Sequence, residues 1–359
     1  MSHPNNLFSF ATSELSQDAF LCWLAALAND DDADLRRLGK SFIAWLWRRS
    51  TGTTVDAVEV QLVQRPKPQW MKIDVTLDVV IAGTRARIII EDKTETSQHG
   101  GQLERYLEVA RKDGVPTAAI YLKTGYHFGS DDAAVNAGYT VVGLREWVEF
   151  LSAQTVRNDI LADYGACMSE LLRQREEALV KLATAAGFKQ FKEGFVQYEF
   201  LGDLGSSCPE TIGGGKLNRG TNMGGSPWTH HRFVCLPGAL PGGVDEVLFH
   251  RIDNRQNNEG KPGYYLSTRQ YATVKRKPEA AAAKLARLKN YRIAFSAAVA
   301  EAGKDLSFST PANDFRGANE SEIGILFFDD KRNTTAKVLE LFPAVHRAFV
   351  AGVAQRVSL

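Results

Sequence analysis

Residues 73–106, IDVTLDVVIAGTRARIIIEDKTETSQHGGQLERY, hold the residue types best suited to chemistry in this chain. An apolar run ends in Glu91-Asp92-Lys93, and Asp78 precedes it in a second run of the same kind. On a strand Glu91 and Lys93 share a face, because side chains alternate with period two. A hairpin connecting 78 to 91 is expected to bring Asp78 beside Glu91. Two carboxylates and the backbone carbonyl of Asp92 form a hard oxygen set. Magnesium takes such sets and fills its remaining positions with water and phosphate oxygens. A cation there polarises a phosphodiester and lowers the pKa of bound water. Lys93 would orient or activate that water and offset the negative charge that develops on the phosphate. The chemistry to expect is phosphodiester hydrolysis with Mg²⁺ or Mn²⁺ as cofactor.

The elements that must position these groups follow from periodicity. Residues 13–28 and 35–49 read as amphipathic helices. In the first, Leu15, Ala19, Cys22 and Ala26 recur at helical spacing, as do Phe20, Trp23 or Leu24, and Leu27. Strands are expected over 56–64, 72–81 and 86–92, with a turn at Ala82-Gly83-Thr84-Arg85. A helix over 100–113 carries Gln102 and Tyr106, four apart and so on one face. Two short buried strands begin at Val115 and Gly138, and helices cover 144–152 and 158–185. The order implies an α/β layered fold with a central mixed sheet flanked by helices.

After residue 186 the composition changes. Residues 202–227, rich in Gly, Ser and Asn, read as a loop. WTHHRFVCL, DEVLFHRID and GYYLSTRQY read as successive antiparallel strands, followed by a basic, alanine-rich helix over 278–302, the strand IGILFF and a helix over 334–354. Two domains are expected, 1–185 and a C-terminal α+β domain, 186–359, in keeping with a length of 359 residues.

With 43 Lys and Arg against 42 Asp and Glu, the chain has a net charge of +1, so any nucleic-acid surface must be local. The four cysteines form no Cys-x-x-Cys pair, which removes zinc-finger spacing and suits reduced thiols in a cytoplasmic protein. The N-terminus lacks the pattern of a signal peptide, and no apolar run has membrane-spanning length, so no membrane partner is expected.

The set Asp78, Glu91 and Lys93 in this element order resembles the PD-(D/E)XK nuclease superfamily. SELSQDAFLCWL, IIIEDKT and QLERY look like an uncharacterised bacterial or phage branch of it. The resemblance covers roughly residues 5–150. It implies a restriction-endonuclease-like core and a metal-dependent nuclease, with DNA as the substrate to expect. It implies metal ligation by Asp78, Glu91 and the Asp92 carbonyl, with Glu14 from the first helix as an additional acid and Asp18 one turn on. Lys93 would be the catalytic lysine, and Gln102 and Tyr106 match a Gln-x-x-x-Tyr feature that positions substrate or the lysine. The superfamily's usual Pro-Asp is missing, and Asp74, of the same strand parity as Asp78, is a second candidate for the first acid. Phage defence follows only from the family's usual company.

Plainer readings compete with these. Glu91 and Lys93 could be a solvated strand-end ion pair worth about 0–1 kcal/mol. Asp78 could cap a turn, Glu14 and Asp18 could complement a helix dipole, and His99 could be a solvated loop histidine. Other acid-x-Lys triplets, Glu259-Gly260-Lys261 and Asp329-Asp330-Lys331 with Asp314 upstream, lack the hairpin and the following helix. Gly213-Gly214-Gly215-Lys216 lacks the ending of a phosphate loop. In the second domain Arg251, Arg269, Lys275, Arg276 and Lys277 offer phosphate contacts, against a solvated basic surface. His230 and His231 point to opposite strand faces and do not readily share one metal. The rival to the nuclease is a catalytically silent binder of nucleic acid or protein on the same fold. A homo-oligomer or a protein partner through the C-terminal domain stays open.

Overall fold

The structure is a computed structural model. It describes residues 6–11, 13–94, 101–128, 131–221, 227–256, 262–309, 311 and 318–356. The chain divides into two compact units, Met1–Arg175 and Glu176–Leu359. The boundary expected at 185 falls ten residues further on, and helix α6 (Asp159–Leu182) carries the chain across the division.

Unit 1 begins with two helices, α1 (Glu14–Ala26) and α2 (Ala33–Thr51). Each starts where a side chain caps free backbone N–H groups. Ser13 accepts from Ser16 N, and Asp32 accepts from the amides of Asp34 and Leu35 at 2.8 and 3.0 Å. Gly52, at φ 74°, ends α2 in the left-handed conformation that costs glycine least. Strands β1 (Val60–Leu62), β2 (Lys67–Trp70), β3 (Ile73–Ile81) and β4 (Thr84–Lys93) follow. Then come α3 (Gln102–Arg111), β5 (Thr117–Lys123), α4 (Asp132–Asn136), β6 (Thr140–Gly143), α5 (Leu144–Ser152) and α6.

The sheet order is β1-β3-β4-β5-β6, with β2 also paired to β3. β3 runs antiparallel to β1, β2 and β4, whereas β4, β5 and β6 are parallel. This is a mixed α/β fold with a mixed central sheet flanked by helices. One face of the sheet, with Val75, Leu77, Ile88, Ile90, Ala118 and Ile120, packs on Phe20, Leu21, Leu24, Leu38, Phe42 and Leu46 of α1 and α2. The other face packs Ile89, Ala119 and Tyr121 on Leu103, Tyr106, Leu107 and Ala110 of α3. Each fully buried side chain of this size stabilises by roughly 1.5–3 kcal/mol. β4 is thus buried from both sides, and a charged residue at its end enters an interior.

Two expectations for unit 1 change. The strand expected over 56–64 is a short 3₁₀ turn, Ala57–Glu59, followed by β1 alone. In α1 the inward face carries Gln17, Asp18, Phe20, Leu21, Leu24 and Ala25, while Leu15 is 66% exposed. Gln17 and Asp18 turn inward because polar partners wait there.

Unit 2 holds α7 (Gly194–Ser207), β7 (Lys216–Thr221), β8 (Pro227–Leu240), β9 (Val244–Gln256) and β10 (Pro262–Tyr271). Helix α8 (Pro278–Ala302), β11 (Glu320–Phe327) and α9 (Thr335–Arg356) complete it. Its sheet, β11-β10-β9-β8-β7, is antiparallel throughout. Phe233, Leu248 and Ile323 pack with Leu288, Tyr291, Phe295, Val345 and Phe349 of α8 and α9. The loop expected over 202–227 instead contains the end of α7 and all of β7. Glycine there serves packing: a Cβ at Gly220 would stand 2.4 Å from the Trp228 ring on the paired strand. Among the described residues no helix is long and apolar enough to cross a membrane.

Candidate functional site

The turn between β3 and β4 decides which acid meets Glu91. Ala82 (φ 47°) and Gly83 (φ 79°) both take positive φ, as a two-residue hairpin turn of the primed kind requires. Ile81 then pairs with Thr84, Asp78 with Arg87 and Val75 with Ile90. Continued one step, that register sets Asp74 beside Glu91. Asp78 lies four residues further along, about 13 Å at strand spacing. The expectation for Asp78 is therefore corrected. Its carboxylate accepts from Arg87 Nε at 2.9 Å and from Gln64, with Lys67 Nζ at 3.8 Å. Burial alone would raise its pKa, but the Arg87 hydrogen bond and charge outweigh it and hold it below the usual carboxylate range.

Asp74, Glu91 and Lys93 meet at the strand end. Lys93 Nζ lies 2.8 Å from Glu91 Oε1, 3.0 Å from the backbone oxygen of Asp92 and 3.5 Å from Asp74 Oδ2. Asp74 Oδ2 also accepts the Asp92 amide at 2.9 Å. From α3, Gln102 Nε2 donates to Glu91 Oε1 at 2.8 Å and reaches the Tyr106 hydroxyl at 3.2 Å. From the start of α1, Glu14 Oε1 accepts from the amide and hydroxyl of Thr94 at 3.1 and 3.3 Å. The structure thus gathers Glu91, Lys93, Gln102, Tyr106 and Asp74, with Glu14 at the end of the same strand, and leaves Asp78 out.

The Asp92 side chain points to the opposite face, as strand alternation demands. It is fully buried and accepts from Gln17 Nε2. Gln17 Oε1 in turn accepts from Thr124 Oγ1 at 3.1 Å and from the Tyr164 hydroxyl at 3.0 Å. Trp147 Nε1 donates to that hydroxyl at 3.2 Å. Gln69, on β2 at φ 55°, links Asp74 Oδ1 at 3.0 Å to Asp18 Oδ2 at 3.3 Å.

Gln17, Gln69 and Thr94 are site residues that the motif reading misses. Glu14, Gln17 and Asp18, at i, i+3 and i+4 on an otherwise apolar helix, carry a legible polar stripe. Gln69 carries no such signal, since its position depends on a left-handed backbone turn.

The electrostatics are those of crowded acids. Burial raises Glu91 to about 7, with the Asp74 charge adding to it and Lys93 opposing. Asp18 is also raised to about 7, by burial and then by Asp74. Burial, then the Asp18 charge, pushes Asp92 well above its ordinary value. Burial works against the Lys93 ammonium, yet the Glu91 hydrogen bond and the charges of Glu91 and Asp74 outweigh it and raise its pKa.

Glu91 Oε2, Asp92 Oδ2 and Asp18 Oδ1 are buried, and no donor reaches them among the described residues. Buried carboxylate oxygens without donors are costly, and a cation beside Glu91 would relieve its Oε2, whereas Asp92 Oδ2 lies on the opposite face of β4. Among the described residues no group of three or more His, Cys, Asp or Glu side chains stands ready to hold a metal. The donors that fit are fewer and harder: the Asp74 and Glu91 carboxylates and the Asp92 carbonyl. This is a set suited to a magnesium-like ion that keeps several waters.

The remaining candidates fall elsewhere. His99, Asp314 and the Glu259–Lys261 triplet lie outside the described residues. Asp329 accepts the amides of Lys331, Arg332 and Asn333 at 2.8, 2.6 and 3.1 Å and caps a turn. β7, not a helix, follows Gly213–Gly215. His230 stacks on Phe249 at 4.1 Å, while His231 points to the other face, 5.9 Å from the His250 ring.

Arg251 and Arg269 are not open phosphate contacts, because acids on the sheet occupy them. Arg251 pairs with Asp253 at 2.8 Å and Glu320 at 3.1 Å. Arg269 pairs with Asp253 at 2.8 Å, Glu320 at 2.9 Å and Glu322 at 3.0 Å. Lys275, Arg276 and Lys277 are exposed ahead of α8.

Unit 1 is a mixed α/β fold with a carboxylate–lysine cluster at the open end of an antiparallel pair within its sheet. No family model, no curated protein and no solved structure matches the chain.

Proposed function

We propose that the chain is a divalent-cation-dependent nuclease of the PD-(D/E)XK kind that hydrolyses phosphodiester bonds in DNA. One observation carries the reading. Asp74 Oδ2, Glu91 Oε1 and the Asp92 carbonyl converge within 3.5 Å of the Lys93 ammonium at one strand end. Asp74, rather than Asp78, takes the part of the first acid.

The protein's own groups divide the work. Asp74 and Glu91, with the Asp92 carbonyl, would hold Mg²⁺ or Mn²⁺, which supplies Lewis-acid polarisation and a more acidic water when bound. Gln102, itself placed by Tyr106, fixes Glu91 through Oε1. Lys93 presents a cation to the phosphate oxygens as their charge grows. Gln69 sets Asp74 from its other oxygen. The inward face beneath β4, with Ile88 and Ile90 packed on α1 and α2, keeps the strand end rigid. DNA enters as substrate through this chemistry and not through Arg251 or Arg269; Lys275 and Arg276 are among the exposed cations that would grip it.

The test is one incubation of the full chain with linear DNA, circular DNA and RNA, in Mg²⁺, Mn²⁺ or EDTA. Cation-dependent cleavage that disappears in Lys93→Ala supports the reading. Salt-sensitive retention of DNA without cleavage, unchanged by Lys93→Ala, would establish the silent binder instead.

A further inference from the structure

We infer that the Lys93 ammonium competes with the divalent cation for one oxygen cradle, so that cation entry and lysine release are a single exchange. This rests on the nuclease reading of the same site and adds a regulatory step to it.

The observation is positional. Lys93 does not extend into open space; its side chain is 9% exposed, and Nζ sits among Glu91 Oε1, the Asp92 carbonyl and Asp74 Oδ2. Those three oxygens are the ones the site offers a hard cation. An ammonium and a divalent ion seek the same donors and repel each other, and the repulsion is strong where water is scarce. The two cannot share the cradle at these distances. The ammonium alone is an imperfect occupant, because Glu91 Oε2 stays buried with no donor reaching it among the described residues. A more highly charged ion has the means to satisfy both oxygens of Glu91.

The exchange has a functional consequence. While the lysine fills the cradle, its charge offsets those of the Glu91 and Asp74 carboxylates it touches. Once displaced, the same ammonium is free to meet a phosphate. Lysine suits this role better than arginine, because its point charge on a flexible stem moves without breaking a planar, two-armed contact.

The experiment is calorimetric titration of Mn²⁺ into EDTA-stripped, dialysed full-length protein, comparing wild type with Lys93→Met and Asp74→Asn. Competition predicts that Lys93→Met binds Mn²⁺ at least about tenfold more tightly than wild type, while Asp74→Asn loses binding. Equal or weaker binding by Lys93→Met, with wild-type binding intact, overturns the exchange and leaves the metal site standing. Absence of Mn²⁺ binding in wild type and Lys93→Met alike overturns both the exchange and the nuclease reading beneath it. A second measurement on wild type covers a variant that fails to fold. Acetic anhydride labelling, read by peptide mass spectrometry, should show Lys93 becoming more reactive with Mn²⁺ relative to exposed Lys275. Unchanged Lys93 labelling in saturating Mn²⁺ counts against the exchange.

Discussion

Asp74 Oδ2 accepts the backbone N–H of Asp92 at 2.9 Å, so the carboxylate that faces the Glu91–Lys93 pair also fastens β3 to the end of β4. Asp78, on the same strand face, is fastened to Arg87 instead. The two aspartates should therefore fail differently. Asp74→Asn is expected to lower DNA cleavage by about 10²- to 10³-fold and to leave a folded protein, because an amide oxygen can still accept the Asp92 N–H. Asp78→Asn is expected to cost about 1–3 kcal/mol of stability, since Arg87 loses a charged partner, with cleavage per folded molecule retained. Cleavage assays paired with denaturant titrations separate the outcomes, and the assignment of Asp74 is wrong if Asp78→Asn alone abolishes cleavage.

Gln17 is the polar hinge between α1 and the buried side of β4. It donates to Asp92 and accepts from Thr124 and Tyr164, so three groups lose a partner at once when it is truncated. Gln17→Ala is expected to destabilise the protein by about 2–4 kcal/mol. Gln17→Glu puts a further acid against Asp92 and should be worse at neutral pH than in mild acid. Urea midpoints at both pH values give the measurement, and a Gln17→Ala midpoint matching wild type would remove the network from the account.

The pattern of residues revealed the β4 and α3 sides of this site more fully than the β2 and β3 sides. Glu91, Lys93, Gln102 and Tyr106 were legible because strand parity and a four-residue helical step depend only on local geometry. The choice between Asp74 and Asp78 needed the turn. With Ala82 and Gly83 as its two central residues, the partner of Glu91 is Asp74; a looser turn across Ala82–Arg85 leaves the register open. Gln69 was illegible because its reach comes from a left-handed backbone conformation outside any periodic pattern. In unit 2, β7 hid in a glycine-rich stretch, where Gly220 leaves room for the Trp228 ring on the paired strand. Arg269 looked like a phosphate contact because Glu320 and Glu322, its partners, are distant in sequence and adjacent only across the β10–β11 pairing.

That pairing makes Arg269 a structural residue. Its guanidinium meets Asp253, Glu320 and Glu322, donates to Ser267 Oγ at 3.0 Å and to the Tyr265 hydroxyl at 3.2 Å, and is 12% exposed. Arg269→Ala removes one of two cations from each of Asp253, Glu320 and Glu322, which keep Arg251 and Arg255, and is expected to destabilise unit 2 by about 1–3 kcal/mol. Lys275→Ala with Arg276→Ala should leave stability near wild type and lower the salt dependence of DNA retention. Thermal melts together with filter binding across a salt series test both. Normal stability with weakened DNA retention in Arg269→Ala would restore that arginine as a phosphate contact.

The crowded acids also set a pH dependence that a variant can isolate. Glu91 rises from its ordinary 4.5 to about 7 in the folded chain, so between those values the native state holds more protons than the unfolded state. The Glu91 contribution to stability is full below about pH 4.5 and is lost as pH rises through about 7. Asp18, raised from 3.8 to about 7, acts in the same direction. Buried histidines in unit 2 act in the opposite sense: burial lowers His230 to about 3 and His231 to about 4, so their contribution grows with pH. The difference between wild type and Glu91→Gln cancels the histidines. In EDTA, Glu91→Gln is expected to melt close to wild type at the acid end and above it at about pH 8. Mn²⁺ should narrow that gap by favouring the ionised acids of the wild type. A gap that stays constant across this range, or one that reverses, would show that Glu91 is not held protonated by its surroundings and would remove the electrostatic case for a cation at this strand end.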